Sequence, residues 1–95
     1  MCDATTPTAA VIEDNDRVRI VRFTLPPGAA TGWHKHTLDY VIVPYVDCRL
    51  RVDTPAGAVE ATMSKDQPYF RTSGAEHNVT NIMQAPLSFL EIEIK

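Results

Sequence analysis

The sequence lacks the features that mark several large classes of protein. No apolar run approaches the roughly eighteen residues of a membrane-spanning helix, and apolar residues nowhere repeat at helical spacing over several turns. Basic residues are not in excess, since nine Lys and Arg stand against twelve Asp and Glu, interspersed along the chain, for a formal net charge of -3. These absences predict a protein that contacts neither nucleic acid nor a membrane.

Cysteines and targeting signals are also scarce. The two cysteines, Cys2 and Cys48, have no Cys or His neighbour at metal-ligand spacing, so we interpret both as free thiols. A disulfide between them would require the N-terminus to fold back. Residues 1–10 lack the charged start and apolar middle of a signal peptide, which predicts a cytoplasmic protein.

The chain does contain a series of short segments with alternating apolar and polar residues. At 95 residues, 44% of them hydrophobic, it should form one small domain, and we expect a flexible segment over residues 1–9 and a β-barrel domain over residues 10–95. Turn signals separate the segments at intervals of about ten residues, which is typical of an all-β sandwich or barrel. The candidate strands cover residues 10–12, 17–25, 32–43, 47–54, 58–64, 69–71, 77–83 and 87–94.

The last of these segments has a clear alternation. It predicts that Leu90, Ile92 and Ile94 face the core. Glu91 and Glu93, which fall between them, are then expected to face solvent.

The segment over residues 32–43 holds two of the three histidines. Residues two apart on a strand share a face, so the side chains of His34 and His36 point the same way, about 7 Å apart at Cα. Tyr40 falls on that face and Asp39 on the other. A distant strand of a small barrel can bring a third histidine to the inside, and His77 is the only candidate. Taken alone, a His-x-His pair more often lies in a core or on a surface than in a metal site.

The first histidine segment resembles the first motif of the cupin superfamily. Gly28 is followed after five residues by His34 and then, one residue further, by His36. The family's motif also supplies a glutamate four or five residues after the second histidine. Tyr40 and Val41 occupy those positions here, so that ligand is missing.

The second cupin motif surrounds the third histidine. Gly74, His77 and Asn81 stand at the family's spacing, while Asp66 and Thr72 replace its first glycine and its proline. The two motifs span more than half of the chain. The resemblance implies the double-stranded β-helix, or jelly-roll barrel, of cupins.

The resemblance also implies a metal site of the three-histidine variety. His34, His36 and His77 would hold one divalent transition metal, with iron expected first and otherwise zinc, nickel, copper or manganese. Asp39 would become a ligand only if a bulge rotated it inward. Tyr40, on the histidine face, would serve as a hydrogen-bond donor or proton relay, or else simply line the barrel.

Three functions are then open. The first is a mononuclear metalloenzyme, dioxygenase-like, that acts on a small carbonyl, carboxylate or thiol metabolite; residues 32–44 and 67–81 are similar to short bacterial cupins of β-alanine degradation. The alternative is a non-catalytic module that binds a small ligand or a metal. A third is a sugar isomerase or epimerase, which would need an inner-face base, and the sequence offers only the histidines and Tyr40 for that role.

A second copy of the chain is the expected macromolecular partner. Val18, Ile20, Val41 and Val43 make the second face of the sheet apolar, beyond what one small barrel covers by itself. Small cupins are commonly homodimers, formed by packing sheets or exchanging N-terminal strands. We therefore expect a homodimer.

Overall fold

A computed structural model describes residues 6–95, and they form nine strands in two antiparallel sheets. The predicted all-β jelly-roll fold is confirmed. Among these residues, no helix is long and apolar enough to cross a membrane. The strands are β1 (Thr8–Asp14), β2 (Val18–Leu25), β3 (His34–Lys35), β4 (Asp39–Pro44), β5 (Cys48–Thr54), β6 (Gly57–Met63), β7 (Tyr69–Arg71), β8 (Glu76–Asn81) and β9 (Leu87–Ile94).

The N-terminal boundary differs slightly from the predicted one. The first strand begins at Thr8, two residues before the predicted start of the domain at Ala10. The free thiol expected at Cys2 lies outside the described residues and stays a prediction. The flexibility expected of residues 1–9 falls partly on residues 1–5, which also lie outside them, and stays a prediction.

The sheets have five and four strands, in the orders β1-β2-β9-β4-β7 and β3-β8-β5-β6. In the larger sheet, β9 is hydrogen-bonded along its length to β2 on one side and to β4 on the other. In the smaller sheet, β5 and β6 form the hairpin predicted from the turn at residues 54–57, and β5 also pairs with β8. The barrel interior therefore lies between β2, β9 and β4 on one side and β8 and β5 on the other.

The predicted histidine strand, residues 32–43, is not continuous. His34 and Lys35 form β3 in the four-stranded sheet, and the chain then crosses to the five-stranded sheet, where β4 starts at Asp39. His36 lies in the crossing, and its backbone is held by Gly74 and Ala75: the N–H of His36 donates to the Ala75 carbonyl at 2.8 Å, and the N–H of Gly74 donates to the His36 carbonyl at 2.7 Å. Simple alternation along one strand is therefore wrong for this segment.

The predicted orientation of β9 is also wrong. Leu87, Phe89 and Glu91 are buried on the inner face, whereas Leu90 and Ile92 lie half-buried on the outer face. The prediction failed because this sheet carries apolar side chains on both faces, and alternation alone does not say which face is the core.

The core fills one end of the barrel. Its centre contains Leu25 and Leu87, which are almost completely buried, and Phe23 stacks on Phe89 with ring centroids 5.5 Å apart. The buried members of the cluster are Leu25, Ala29, Tyr40, Ile42, Cys48, Leu50, Met63, Leu87 and Phe89. The other end of the interior is occupied by polar side chains, which form the candidate site.

Candidate metal centre

The three predicted histidines come together inside the barrel. The Nε2 atom of His36 lies 3.1 Å from the Nε2 atom of His34 and 3.1 Å from that of His77. All three ligand atoms lie within 4.8 Å of one another. Although the histidine strand is broken, both His34 and His36 face His77 as predicted.

Strand pairing and backbone contacts position these rings. His34 on β3 is the direct cross-strand partner of His77 on β8, and their rings meet edge to face with centroids 4.7 Å apart. The Nδ1 atom of His34 lies 2.8 Å from the Gly32 carbonyl oxygen. Because a carbonyl only accepts, that Nδ1 carries the proton, and the Nε2 lone pair of His34 faces the other two rings.

Burial keeps two rings of the cluster neutral. Desolvation, together with the neighbouring rings of His34 and His77, lowers the pKa of His36 to about 4. Burial and the proximity of His34 also lower the pKa of His77. At neutral pH these two imidazoles are unprotonated, as a metal ligand must be.

The spacing and the donor type fit a divalent transition metal. Two nitrogens bound about 2.1 Å from one ion at right angles lie about 3.0 Å apart, close to the 3.1 Å found at His36. Three neutral imidazoles suit the later first-row metals. Among the described residues the group contains no fourth protein ligand.

Two side chains of the five-stranded sheet complete the surroundings of His36. Tyr40 stacks on its ring with centroids 4.1 Å apart and planes 24° apart. The Oε1 atom of Glu91 lies 3.6 Å from its Nδ1 atom. Sequence reasoning identified Tyr40 but missed Glu91, although Glu91 shares the parity of Leu87 and Phe89, two large apolar residues of the same strand.

Both of these side chains have altered acidity. Burial raises the pKa of Tyr40 to about 12, so its hydroxyl stays protonated at neutral pH. Burial, together with the negative charge of Glu93, raises the pKa of Glu91 to about 7. The inner face therefore does carry a base besides the histidines and Tyr40, contrary to what the sequence predicted.

The cluster opens into a cavity of about 350 Å³. Lys35 lines it, and no arginine of the described residues does. A cavity of this volume is at the small end of the range for ligand sites. Its lining combines the polar groups His34, His36, His77, Glu91 and Glu93 with apolar side chains that include Phe23, Ile42, Leu50, Met63 and Val79.

Two other residues considered from the sequence have separate roles. The Oδ1 atom of Asp39 accepts a hydrogen bond from the Ser73 N–H at 2.7 Å, and Asp39 is not part of the histidine group. Cys48 is a buried free thiol that donates to the Val46 carbonyl at 3.2 Å. Burial raises its pKa to about 11.

Two facing sheets with a histidine cluster between them define a small β-barrel protein with a candidate metal centre. No protein-family model matches the chain. It is 44% identical over 89 residues to the β-alanine degradation protein BauB of Pseudomonas aeruginosa. The match covers 94% of this chain and 92% of BauB. The chain belongs to the cupin superfamily, because a solved cupin domain is 39% identical to it over its whole length.

Solved structures agree with that assignment. A cupin domain from Bordetella pertussis superposes with a TM-score of 0.93 at 39% identity, over 100% of this chain and 99% of that one. A cupin superfamily protein from Desulfitobacterium hafniense superposes with a TM-score of 0.71 at 11% identity, over 93% and 76%. The second likeness shows the fold alone, while the first confirms the predicted family resemblance.

Proposed function

We propose that this cupin is a mononuclear metalloenzyme whose ion is held by His34, His36 and His77. The observation that carries the proposal is the convergence of three Nε2 atoms, with His36 3.1 Å from each of the others. When bound, the metal would supply a Lewis acid or a redox centre to the cavity. Catalysis needs open coordination positions on the metal. The histidine group has no fourth protein ligand among the described residues, which favours such open positions.

The surrounding side chains would prepare this site for chemistry. Tyr40 lines the cavity and keeps its proton at neutral pH, because burial raises its pKa to about 12. It would therefore donate a hydrogen bond to a bound substrate or pass on a proton. Apolar side chains such as Ile42, Leu50 and Val79 would limit the entry of water.

We propose a small carbonyl, carboxylate or thiol metabolite as the substrate, in dioxygenase-like chemistry. A cavity of about 350 Å³ suits a small molecule. Among residues 6–95, Lys35 is the one non-histidine cation in its lining, so an anionic substrate would be held by Lys35 or by the metal. The name of the Pseudomonas aeruginosa relative, a β-alanine degradation protein, favours a small metabolite of this kind. The reduced thiol of Cys48 suits the cytoplasm, where we propose that the protein acts.

Metal content is the first test. Elemental analysis of protein purified without added metal should find stoichiometric iron, or else zinc, nickel, copper or manganese, and none in the triple variant His34→Ala, His36→Ala, His77→Ala. The iron form should then consume oxygen with small diketones or thiols. A wild-type protein that neither contains nor takes up a divalent ion would refute the metal site, and a metal-loaded protein inert toward every such compound would favour a non-catalytic binding module.

We also propose that the protein works as a homodimer. All seven residues of β1 are exposed, including Val11 and Ile12 at 55% and 56%, although every residue of the strand except Ile12, at a bulge, is paired with β2. An edge strand without a buried face gains little from packing in a monomer. The outer face of the same sheet adds half-buried apolar side chains that a second copy would cover, namely Val18, Ile20, Val41, Val43, Leu90 and Ile92.

Light scattering after size-exclusion chromatography tests this proposal. Wild-type protein should have twice the mass of the 10.5 kDa chain. Ile92→Asp, on the outer face of the five-stranded sheet, should give monomers, because it would bury an unpaired charge in the interface. Thr62→Asp, exposed on the four-stranded sheet, is the matched control and should stay dimeric. A monomeric wild type would overturn the proposal.

A further inference from the structure

Glu91 is a buried carboxyl group with an unusual neighbour. It is only 8% exposed, on the inner face of β9 between Val21 and Ile42. Arg19 pairs with Glu93, its Nη1 atom lying 3.4 Å from Oε1 of that residue. Among residues 6–95, the one basic group within 4.0 Å of the Glu91 carboxylate is the imidazole of His36.

The two nitrogens of that imidazole face different groups. Nε2 faces His34 and His77 at 3.1 Å, and Nδ1 faces Oε1 of Glu91 at 3.6 Å. Tyr40 covers one side of the ring and limits its rotation. The separation of 3.6 Å exceeds hydrogen-bond length by about half an ångström, so a small rotation of the carboxyl group brings it into range.

This arrangement bears on which nitrogen of His36 carries the proton. A neutral imidazole holds one proton, and a ligand that binds through Nε2 must hold it at Nδ1. His34 meets this requirement through the Gly32 carbonyl, a backbone group. His36 has a carboxylate in the equivalent position, and a carboxylate is a stronger acceptor.

We propose that Glu91 is a positioning residue that holds His36 in its Nδ1-protonated tautomer, so that the Nε2 lone pair faces the site. The inference rests on the proposed metal site. Glu91 acts through His36 without touching the ion, since the histidine group that could hold the metal does not include it. Carboxylate partners of this kind typically raise the metal affinity of a site about 10- to 100-fold.

The tautomer is measured first, on metal-free protein. Proton–nitrogen correlation spectra of 15N-labelled wild type at pH 8.5, where Glu91 is a carboxylate, should show His36 protonated at Nδ1, and Glu91→Leu should shift it toward a mixture of tautomers. Glu91→Gln should keep the wild-type tautomer, because its amide oxygen still accepts the proton. An unchanged tautomer in Glu91→Leu would overturn the inference, whether or not the protein binds metal.

Metal affinity is the second readout, from competition with a chromophoric chelator for zinc and for cobalt. Glu91→Leu should bind each metal about 10- to 100-fold more weakly. Glu91→Gln should stay within about threefold of wild type with an unchanged cobalt absorption spectrum. Glu60→Gln, which removes the same charge from an exposed position on β6 outside the cavity lining, is the matched control and should also stay within threefold.

The outcomes separate the two proposals. A wild type that binds neither metal refutes the proposed function, while the tautomer result still judges the role of Glu91. Metal binding that is equally tight in wild type and Glu91→Leu overturns the positioning role alone. Equal losses in Glu91→Leu and Glu91→Gln, with a changed cobalt spectrum, would make Glu91 a ligand and would also overturn it.

Discussion

The two ends of β8 hold polar side chains in opposite ways. At one end Asn81 is completely buried and its amide makes three hydrogen bonds: Nδ2 donates to the carbonyls of Leu25 and Ala85, each at 2.9 Å, and Oδ1 accepts from the Met83 N–H at 2.8 Å. At the other end His77 faces two more imidazole nitrogens. Nearby, the one basic group of residues 6–95 within 4.0 Å of the Glu91 carboxylate is the His36 ring, at 3.6 Å.

The difference separates a structural polar group from a functional one. The Asn81 side chain finds all its hydrogen-bond partners within the protein, and it ties the end of β2 to the loop that follows β8. The histidine cluster brings imidazole nitrogens together so that they face one another, and a bound cation would therefore stabilise it. Both residues stand in the same cupin motif, yet only one of them is expected to matter for chemistry.

The largest effect on stability should come from Asn81→Ala. One buried and two partly buried backbone groups lose their partners, with a penalty of about 1–3 kcal/mol for the buried one and less for the others, so we expect a loss of about 3–5 kcal/mol in the free energy of unfolding. Denaturant titration of metal-free protein measures it. Asn78→Ala is the matched control, since the Asn78 side chain accepts one exposed hydrogen bond from the Gly32 N–H, and it should cost about 1 kcal/mol or less. Equal losses in the two variants would erase the contrast.

His77→Ala should have the opposite profile. We expect metal affinity to fall about 100-fold or more, because one of three ligands is lost. The stability of the metal-free protein should change by only about 0.5–1.5 kcal/mol. The ring is half-buried, and the hydrogen-bond contact of its Nε2 atom is to another imidazole nitrogen, that of His36. Isothermal titration with zinc and denaturant unfolding check the two halves. A destabilisation as large as that of Asn81→Ala would mean that the cluster is structural.

The pH dependence of metal-free stability sharpens the comparison further. The folded state lowers the pKa of His36 from 6.5 to about 4, so the unfolded state binds more protons and stability falls as pH drops through that window. The folded state raises the pKa of Glu91 from 4.5 to about 7, so stability falls as pH rises through that window. Between about pH 4.5 and 6.5 the two effects oppose each other.

Single variants should uncover each effect. Glu91→Gln should lose stability toward acid more steeply than wild type, and the lowered pKa of His77 adds to that slope. His36→Gln should shift the slope in the opposite direction. Denaturant midpoints recorded from pH 4.5 to 7 provide the test, and parallel profiles for the two variants would contradict the assigned shifts.

The smallest effect on binding should come from Tyr40→Phe. The ring that stacks on His36 is kept and only the hydroxyl is lost, so metal affinity should change by less than about threefold. If the metal-loaded protein turns over a substrate, its rate should fall about 100-fold or more, as for loss of a proton donor. An unchanged rate would leave Tyr40 with a packing role only.

Much of the fold and most of the site were predictable from the residues. Alternation and turn signals located most strands, and the two cupin motifs identified His34, His36 and His77. Glu91 was missed because both faces of β9 carry large apolar residues, Leu87 and Phe89 on the inner face and Leu90 and Ile92 on the outer one. Alternation therefore did not show which face is inside. The crossing at His36 was missed because nothing local distinguishes it from a continuous strand, and its backbone partners, Gly74 and Ala75, are distant in the chain.

The crossing at His36 also has a consequence for the order in which the protein is assembled. His36 and His77 are 41 residues apart. Tyr40 and Glu91, which lie against the His36 ring, belong to the opposite sheet from His34 and His77. Such distant partners meet late, after the loops between them have closed. The complete site, with Tyr40 and Glu91 around the histidines, therefore exists only once both sheets have formed, and a metal would find it complete only in the finished barrel.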